Sequence, residues 1–196
     1  MPRTDICDYL IHFTKNDPVT GNSGFERLQI IMTSGFLLGS SNLIRGAYKC
    51  CCFSEVPLEQ MPGGLVNPDY YSGYSPFGIM VSKKWLYEQG GRPVIYQHMS
   101  EFDNLPDSHR WRHVTYEPGV VDFTWEREWR IRTECLAIDP SVANIIVPDR
   151  GWAESLYSLH AEMVRQDIES YSTIFDREEA EWRFDRPFEW QIFTLR

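Results

Sequence analysis

The sequence lacks the cysteine spacings that mark a zinc centre or a disulfide framework. It has five Cys, three of which are consecutive at positions 50–52 in an apolar segment, and no Cys-x-x-Cys pair occurs. His98, His109 and His113 are scattered through a polar stretch, a weak indication of zinc because zinc ligands come in tight pairs. We therefore expect free thiols and no metal site.

The sequence also lacks a long apolar run and a secretory leader. No segment approaches the length of a membrane-spanning helix, and the N-terminus has no basic start followed by an apolar stretch. We therefore expect a cytoplasmic protein that makes no membrane contact.

Positive charge is scarce in the second half of the chain. The net charge is −9, and residues 101–196 carry 11 basic and 20 acidic side chains, against 8 of each in residues 1–100. Non-specific binding to duplex nucleic acid needs Lys and Arg to displace counterions, so this balance disfavours it. A local basic groove remains compatible with the sequence.

What the chain has is 42% hydrophobic and 14% aromatic content over 196 residues, enough to bury a sizeable core. We expect one domain over residues 1–196, without repeats or linkers. Periodicity predicts strands and helices interspersed along the chain, which indicates an α+β fold. The predicted strands are 9–14, 47–55, 77–82, 93–97, 123–133, 144–148 and 188–195, and the predicted helices are 25–34, 83–89, 150–171 and 176–185.

Two segments are predicted as loops. Residues 57–76 contain four Pro, three Gly and three Tyr, and a loop of that length in a compact domain is more often functional than idle. Residues 98–122 show neither helical nor strand periodicity, so we expect them to be irregular. Ser23 is predicted to cap the first helix, and Gly35 is predicted to end it in a left-handed conformation.

The stretch Phe123–Thr133 is the most informative for chemistry because it contains Glu126 and Glu128. Side chains two residues apart on a strand share one face, so we expect the two carboxylates to converge. Such a pair suits glycosyl transfer, in which positive charge develops on an anomeric carbon. The same pattern is also typical of a solvated charge ladder in which Glu and Arg pair across neighbouring strands.

Three motifs stand in an order that resembles the triad arrangement of the ADP-ribosyltransferase fold, and they are His12-Phe13-Thr14, Cys52-Phe53-Ser54-Glu55 and Glu126-x-Glu128. Over residues 9–97 the chain is similar to the AbiGi antitoxin-like family of bacterial abortive-infection proteins. The motifs that carry this second likeness include Gly35-Phe36, Tyr74-Ser-Pro-Phe-Gly-Ile, Ser82-Lys-Lys-Trp and Pro93-Val-Ile-Tyr. A looser likeness extends to DarT-like enzymes, which ADP-ribosylate DNA bases.

The resemblance implies split central β-sheets that hold a bent NAD⁺ in a cleft. Glu128 would stabilise the oxocarbenium ion as nicotinamide leaves, and Glu126 would orient or deprotonate the acceptor. A neutral His12 would bind the adenosine-side ribose, and Ser54 would support the catalytic Glu. The other implied NAD⁺ contacts are Phe13, Thr14, Arg45 at the diphosphate, and Tyr71 or Tyr74 stacked on nicotinamide.

Each of these roles has a structural alternative. A strand His is often a core residue, a Ser can simply end a strand, and loop Tyr and Arg residues are commonplace. Phe13 stands where several relatives have a Gly that lets nicotinamide approach the backbone.

Three functions are compatible with these motifs. The first is an NAD-dependent mono-ADP-ribosyltransferase of bacterial or phage conflict, with a nucleic-acid or protein acceptor and a toxin or antitoxin partner. The second is a non-catalytic antitoxin-like module that binds a partner protein or a nucleotide. The third is an NAD⁺ glycohydrolase, which would use water as the acceptor.

Overall fold

The computed structural model describes residues 6–63 and 74–196, in which strands and helices are interspersed. The strands are β1 (Tyr9–Phe13), β2 (Phe36–Leu38), β3 (Cys50–Ser54), β4 (Gly78–Ser82), β5 (Arg92–Pro93), β6 (Ile95–Gln97), β7 (His113–Thr115), β8 (Glu128–Arg132), β9 (Cys135–Ala137), β10 (Ala143–Val147) and β11 (Ile192–Thr194). The helices are α1 (Gly24–Ser34), α2 (Lys83–Glu88), α3 (Asp107–Arg110), α4 (Arg150–Tyr171) and α5 (Arg177–Phe184). The predicted α+β class is confirmed.

Seven strands form a mixed sheet in the order β11-β10-β4-β1-β3-β8-β5. β10 and β11 run parallel, and the other neighbouring pairs in this sheet run antiparallel. Two smaller sheets have two strands each, an antiparallel β2–β9 pair and a parallel β6–β7 pair.

The large sheet has a seam between β1 and β3. β1 and β4 pair from Tyr9 to Phe13, and β3 and β8 pair along the whole of β3. β1 and β3, in contrast, are registered only at Ile11 opposite Ser54. The sheet therefore consists of two halves, β11-β10-β4-β1 and β3-β8-β5, that meet at one residue pair.

The two faces of the sheet carry different cores. The main core includes Leu10, Leu28, Phe53, Ile79, Val81, Ile131 and Ile145. The smaller core on the other face contains Ile11, Phe13, Met61, Met80 and Ile146. Directly opposed residues of antiparallel neighbours point to the same face. Ser54 and Glu128 therefore lie on the Ile11 face, whereas strand alternation places His12 on the Leu10 face.

The predicted ends of α1 are confirmed. The Ser23 side chain accepts a hydrogen bond from the backbone N–H of Glu26, and the Glu26 carboxylate accepts one from the backbone N–H of Ser23, which completes a capping box. Gly35 has φ 72° and ψ 19°, the left-handed conformation that residues with a Cβ rarely adopt. These short-range signals fix where the crossover between β1 and β2 begins and ends.

Two predictions about the region before the carboxylates are wrong. The strand predicted over 47–55 begins only at Cys50, because Ala47 has a positive φ of 55° and cannot join an extended strand. Residues 98–122 are not wholly irregular, since they contain a 3₁₀ turn over Met99–Asn104, helix α3 and strand β7. These elements are too short to show a hydrophobic period.

The remaining predicted elements differ from the structure mainly at their ends. Asp149 caps α4 as expected, and the closing strand is shorter than the predicted 188–195. In the predicted loop 57–76, Leu58–Gly63 forms a 3₁₀ helix, and residues 64–73 lie outside the described part of the chain. No helix within the described ranges combines the length and hydrophobicity needed to cross a bilayer.

Candidate active site

The Glu-x-Glu stretch bends where a continuous strand was predicted. Thr124–Glu126 forms a 3₁₀ turn, Arg127 is left-handed with φ 45° and ψ 52°, and β8 starts at Glu128. A left-handed residue breaks the two-residue alternation, so the prediction that both carboxylates share one strand face is wrong. The Ser54 hydroxyl donates to the Glu126 carbonyl oxygen at 2.6 Å and thereby holds this turn against the end of β3.

Glu128 pairs with a buried arginine of its own strand. Arg130 donates from Nε to Glu128 Oε1 at 2.8 Å and from Nη2 to Oε2 at 3.0 Å, with side-chain exposures of 6% for Arg130 and 11% for Glu128. The solvated ladder between neighbouring strands is therefore not what forms here. Arg130 uses one lone pair on each carboxylate oxygen and the Cys52 thiol bonds the same carboxylate, so Glu128 can still accept one further hydrogen bond from a ligand hydroxyl.

Glu126 has a different electrostatic environment. Burial and the nearby charge of Glu128 raise the pKa of Glu126 to about 7, against the smaller lowering effects of Lys15 and of the Tyr74 hydroxyl. Burial, followed by the two carboxylates, raises the pKa of Tyr74, so this phenol remains a hydrogen-bond donor to Glu126. The Lys15 ammonium lies 4.1 Å from the centroid of the Tyr74 ring. One carboxylate is thus neutralised by a guanidinium, whereas the other can gain or lose a proton near neutral pH.

Sequence reasoning missed the other residues that hold Glu128. The Tyr96 hydroxyl accepts a hydrogen bond from the Glu128 backbone N–H at 3.1 Å and donates to the Phe123 carbonyl at 3.2 Å. The Cys52 thiol is hydrogen-bonded to Glu128, and burial raises its pKa, so it is a weak nucleophile. Strand alternation places Arg130 on the same face as Glu128, and no local sequence pattern signals that this face is buried.

His12 lies at the seam between the two halves of the sheet. Its Nδ1 is 2.8 Å from the Cys52 carbonyl oxygen, and its ring meets Phe53 edge-on at a centroid distance of 5.8 Å. Burial lowers the pKa of His12 to about 4, so the imidazole is neutral at pH 7. Because Nδ1 donates to a carbonyl, Nε2 carries the lone pair and can accept a hydrogen bond from a ligand.

The structure brings Ser54, Tyr74, Glu126 and Glu128 together. Ser54 forms a hydrogen bond with the backbone carbonyl of Glu126, and Tyr74 forms one with its carboxylate. Ser54 is directly opposite Glu128 on the neighbouring strand. His12 is on the other face of the sheet and is linked to this group through the Cys52 carbonyl at the seam. A ligand that contacts both His12 and Glu128 would have to cross the seam.

The other predicted NAD⁺ contacts have different surroundings. Phe13 is 4% exposed in the smaller core, and the Thr14 hydroxyl lies 2.9 Å from the Gly24 carbonyl oxygen, which ties β1 to α1. Arg45 donates to the Met99 carbonyl at 2.9 Å and covers the ring of Phe102. Tyr71 falls outside the described residues. The hydrogen bonds of Thr14 and Arg45 therefore go to backbone carbonyls and, for Thr14, to the Ser75 hydroxyl, and not to the carboxylates.

Depressions that the described surface forms at Trp129 and between α4 and α5 lie away from the carboxylates. One, of about 600 Å³, is lined by Asp8, Ser82, Lys83, Lys84, Tyr87 and Trp129. The other, of about 380 Å³, lies between α4 and α5. Neither is lined by Glu126 or Glu128. In residues 6–63 and 74–196, no three His, Cys, Asp or Glu side chains are placed to hold a metal ion.

The low pKa of His12 gives an expected effect of pH on stability. The pKa of His in the unfolded chain is near 6.5, whereas that of His12 in the folded protein is about 4. Between these two pH values the unfolded state therefore binds a proton at His12 and the folded state does not. Stability should therefore fall as the pH drops from 7 towards 4.5. His12→Asn, which keeps a donor for the Cys52 carbonyl, should remove about 1–2 kcal/mol of that fall.

Urea unfolding of the wild type and of His12→Asn at both pH values measures this difference. His109→Asn is the matched control because His109 is exposed. If the wild type and His12→Asn lost the same free energy of unfolding between the two pH values, the conclusion that His12 is buried and neutral would be wrong.

Comparison with known proteins gives one structural similarity. No protein-family model matches the chain, and no curated protein matches it. Among solved structures, DarT from Thermus sp. 2.9 in complex with NAD⁺ is similar, with a TM-score of 0.39 and 12% sequence identity over 94% of this chain and 93% of that chain.

Proposed function

We propose that this chain is an NAD⁺-dependent mono-ADP-ribosyltransferase. The observation that carries the proposal is the pair of neighbouring carboxylates held in unlike environments, with Glu128 bound to Arg130 and the pKa of Glu126 raised to about 7. Glycosyl transfer uses two carboxyl groups in different roles, and unlike environments are how proteins separate such roles. The order of the motifs, which resembles that of the ADP-ribosyltransferase fold, also supports the proposal.

In this mechanism Glu128 accepts a hydrogen bond from the 2′-hydroxyl of the nicotinamide ribose. Its negative charge stabilises the cation that develops at C1′ as the C1′–N bond breaks and nicotinamide leaves with the electron pair. An acceptor lone pair then forms the new bond to C1′, and Glu126 takes the acceptor proton. A Glu126 pKa of about 7 leaves a substantial fraction of the carboxylate ionised at neutral pH.

The described residues also offer groups that suit the rest of NAD⁺. The neutral His12 has an acceptor nitrogen for a ribose hydroxyl. Lys15 is exposed next to Tyr74, and its charge lowers the pKa of both His12 and Glu126, so it is close to both parts of the site. Lys15 is therefore better placed than Arg45 to meet the diphosphate. A Tyr74 ring that stacks on nicotinamide would use the face away from Lys15.

One observation favours a second candidate function, a non-catalytic module that binds a partner protein or a nucleotide. Both oxygens of Glu128 already accept hydrogen bonds from a guanidinium that is itself buried. A satisfied ion pair of this kind can be a purely structural feature. On the resemblance alone, either function would belong to bacterial or phage conflict, with a toxin or antitoxin partner.

Product analysis separates these functions. The protein is incubated with NAD⁺ labelled in the adenine, alone and with single-stranded DNA, duplex DNA, RNA or bacterial protein, and released nicotinamide and acceptor-bound label are both measured. A transferase should release nicotinamide and label one acceptor class. A glycohydrolase should yield free ADP-ribose without any acceptor. NAD⁺ or partner binding by calorimetry, with no nicotinamide released under any condition, would favour the binding module.

A further inference from the structure

Arg130 is a buried cation whose hydrogen bonds run in two directions. Its Nε and Nη2 bind the carboxylate of Glu128, and its Nη1 donates to the carbonyl oxygens of Trp111 at 3.1 Å and His113 at 3.0 Å. Four of the five N–H donors of a guanidinium are thus used by two parts of the chain. Arg130 is 5% exposed, which leaves little room for this arrangement to shift.

The segment that receives Arg130 is itself fixed by packing. Trp111 and His113 are both buried, and the Trp111 indole N–H donates to the Ser108 carbonyl at 2.8 Å. The His113 ring packs edge-on against Phe102 at a centroid distance of 5.4 Å, and β7 pairs with β6 from His113 to Thr115. The two carbonyl oxygens that orient Arg130 therefore lie on a rigid segment.

We propose that Arg130 is a positioning residue for Glu128, and that it ties the orientation of this carboxylate to the Trp111–His113 segment. The proposal rests on the proposed transferase function, since it assigns Arg130 a role in the same site. A planar guanidinium binds both carboxylate oxygens in one plane and so fixes the rotation of the carboxylate. The lone pairs that Arg130 leaves unused then have defined directions, and in the proposed mechanism one of them accepts the ribose hydroxyl.

Stability alone is a weak reason for this ion pair. Taking two charges out of water offsets most of their mutual attraction, and apolar residues of similar volume often serve stability as well or better. Glu128 is oriented from three sides, by Arg130, by the Cys52 thiol and by the Tyr96 hydroxyl at its backbone N–H. Precise orientation of one carboxylate is what transition-state stabilisation requires and what a core ion pair does not.

The test compares Arg130→Lys with the wild type for nicotinamide release from NAD⁺. Lys keeps the positive charge but cannot bind both oxygens in one plane. We expect kcat to fall at least tenfold with little change in KM for NAD⁺, because the bond from Glu128 to the reacting ribose matters most in the transition state. In a Glu128→Gln background, Arg130→Lys should lower kcat no further, because its effect passes through Glu128. Arg132→Lys, an exposed position on the same strand, is the matched control.

The outcomes distinguish this proposal from the proposed function. If the wild type is active and Arg130→Lys keeps the full kcat, or if its effect multiplies with that of Glu128→Gln, the positioning role is wrong while the transferase stands. If the wild type releases no nicotinamide, both are wrong.

Thermal unfolding covers the case in which Arg130→Lys does not fold. Glu128→Gln/Arg130→Gln removes both charges, so its loss of stability should be smaller than the sum of the two single losses. Additive losses would mean that the two side chains do not act on one another, which would overturn the proposal.

Discussion

Glu128→Gln should slow nicotinamide release from NAD⁺ by roughly a hundredfold or more, a barrier increase of at least about 2.7 kcal/mol. The substitution keeps the shape of the side chain and removes the charge that, in the proposed mechanism, stabilises the developing cation. Because that cation exists fully only in the transition state, the affinity for NAD⁺ should change little. Steady-state kinetics and calorimetric NAD⁺ titration of the variant measure the two quantities separately.

The buried partner of Glu128 adds a stability effect to this variant. Glu128→Gln leaves the Arg130 charge without a counter-ion at a 5% exposed position. Breaking a buried ion pair costs about 3–5 kcal/mol, so the midpoint of thermal unfolding should drop by roughly 6–20 °C. Turnover must therefore be measured well below the midpoint of the variant. Glu154→Gln, which breaks an exposed ion pair with Arg150 on α4, is the control. It should change neither the rate of nicotinamide release nor the midpoint of thermal unfolding. A Glu128→Gln protein that released nicotinamide at the wild-type rate would remove Glu128 from the chemistry.

The elements that could be predicted are those whose signals are local. Ser23, Glu26 and Gly35 mark both ends of α1 within a few residues, since capping depends on side chains next to the helix terminus. The apolar segment around Cys50–Cys52 predicted a strand, and the structure has β3 there, between β1 and β8. The existence of these elements follows from neighbours in the sequence.

The site could be predicted only in part, because its geometry depends on distant contacts. Nothing in the sequence marks Arg127 as left-handed, since Arg has no preference for that conformation, and the turn is held by the Ser54 hydroxyl from another strand. The burial of Arg130 depends on carbonyl groups of the Trp111–His113 segment, which was predicted to be irregular. The residue types of the site were therefore available from the motifs, whereas its electrostatics were not.

Glu126→Gln should impair transfer to the acceptor more than cleavage of NAD⁺. A general base contributes about 10²–10⁴-fold to such a step, and Gln cannot accept the acceptor proton. Slow hydrolysis of NAD⁺ should survive, since Glu128 and Arg130 are unchanged and water needs less activation than a chosen nucleophile. Transfer by the wild type should rise as the pH increases through about 7, because only the ionised Glu126 acts as a base, and this rise should be absent in Glu126→Gln.

The same substitution should have an effect on stability that does not depend on any reaction. The folded-state pKa of Glu126 is raised, so the folded protein binds this proton more tightly than the unfolded chain does, and an unfavourable contribution develops as the pH rises from about 4.5 through 7. Gln carries no charge at any pH. Glu126→Gln should therefore match the wild type in stability near pH 4.5 and exceed it by about 1 kcal/mol at pH 8, after allowance for the partial exposure of the group. Urea unfolding at the two pH values measures this gain, with Glu178→Gln on the exposed start of α5 as the control.

Two mixed outcomes would separate the pKa of Glu126 from its role as a base. A gain in stability at pH 8 without any effect on transfer would mean that Glu126 is buried but takes no part in the reaction, and the acceptor proton would then need another base. Loss of transfer without a gain at pH 8 would mean that Glu126 acts as the base from a well-solvated position, so the raised pKa would be wrong while the catalytic role stood.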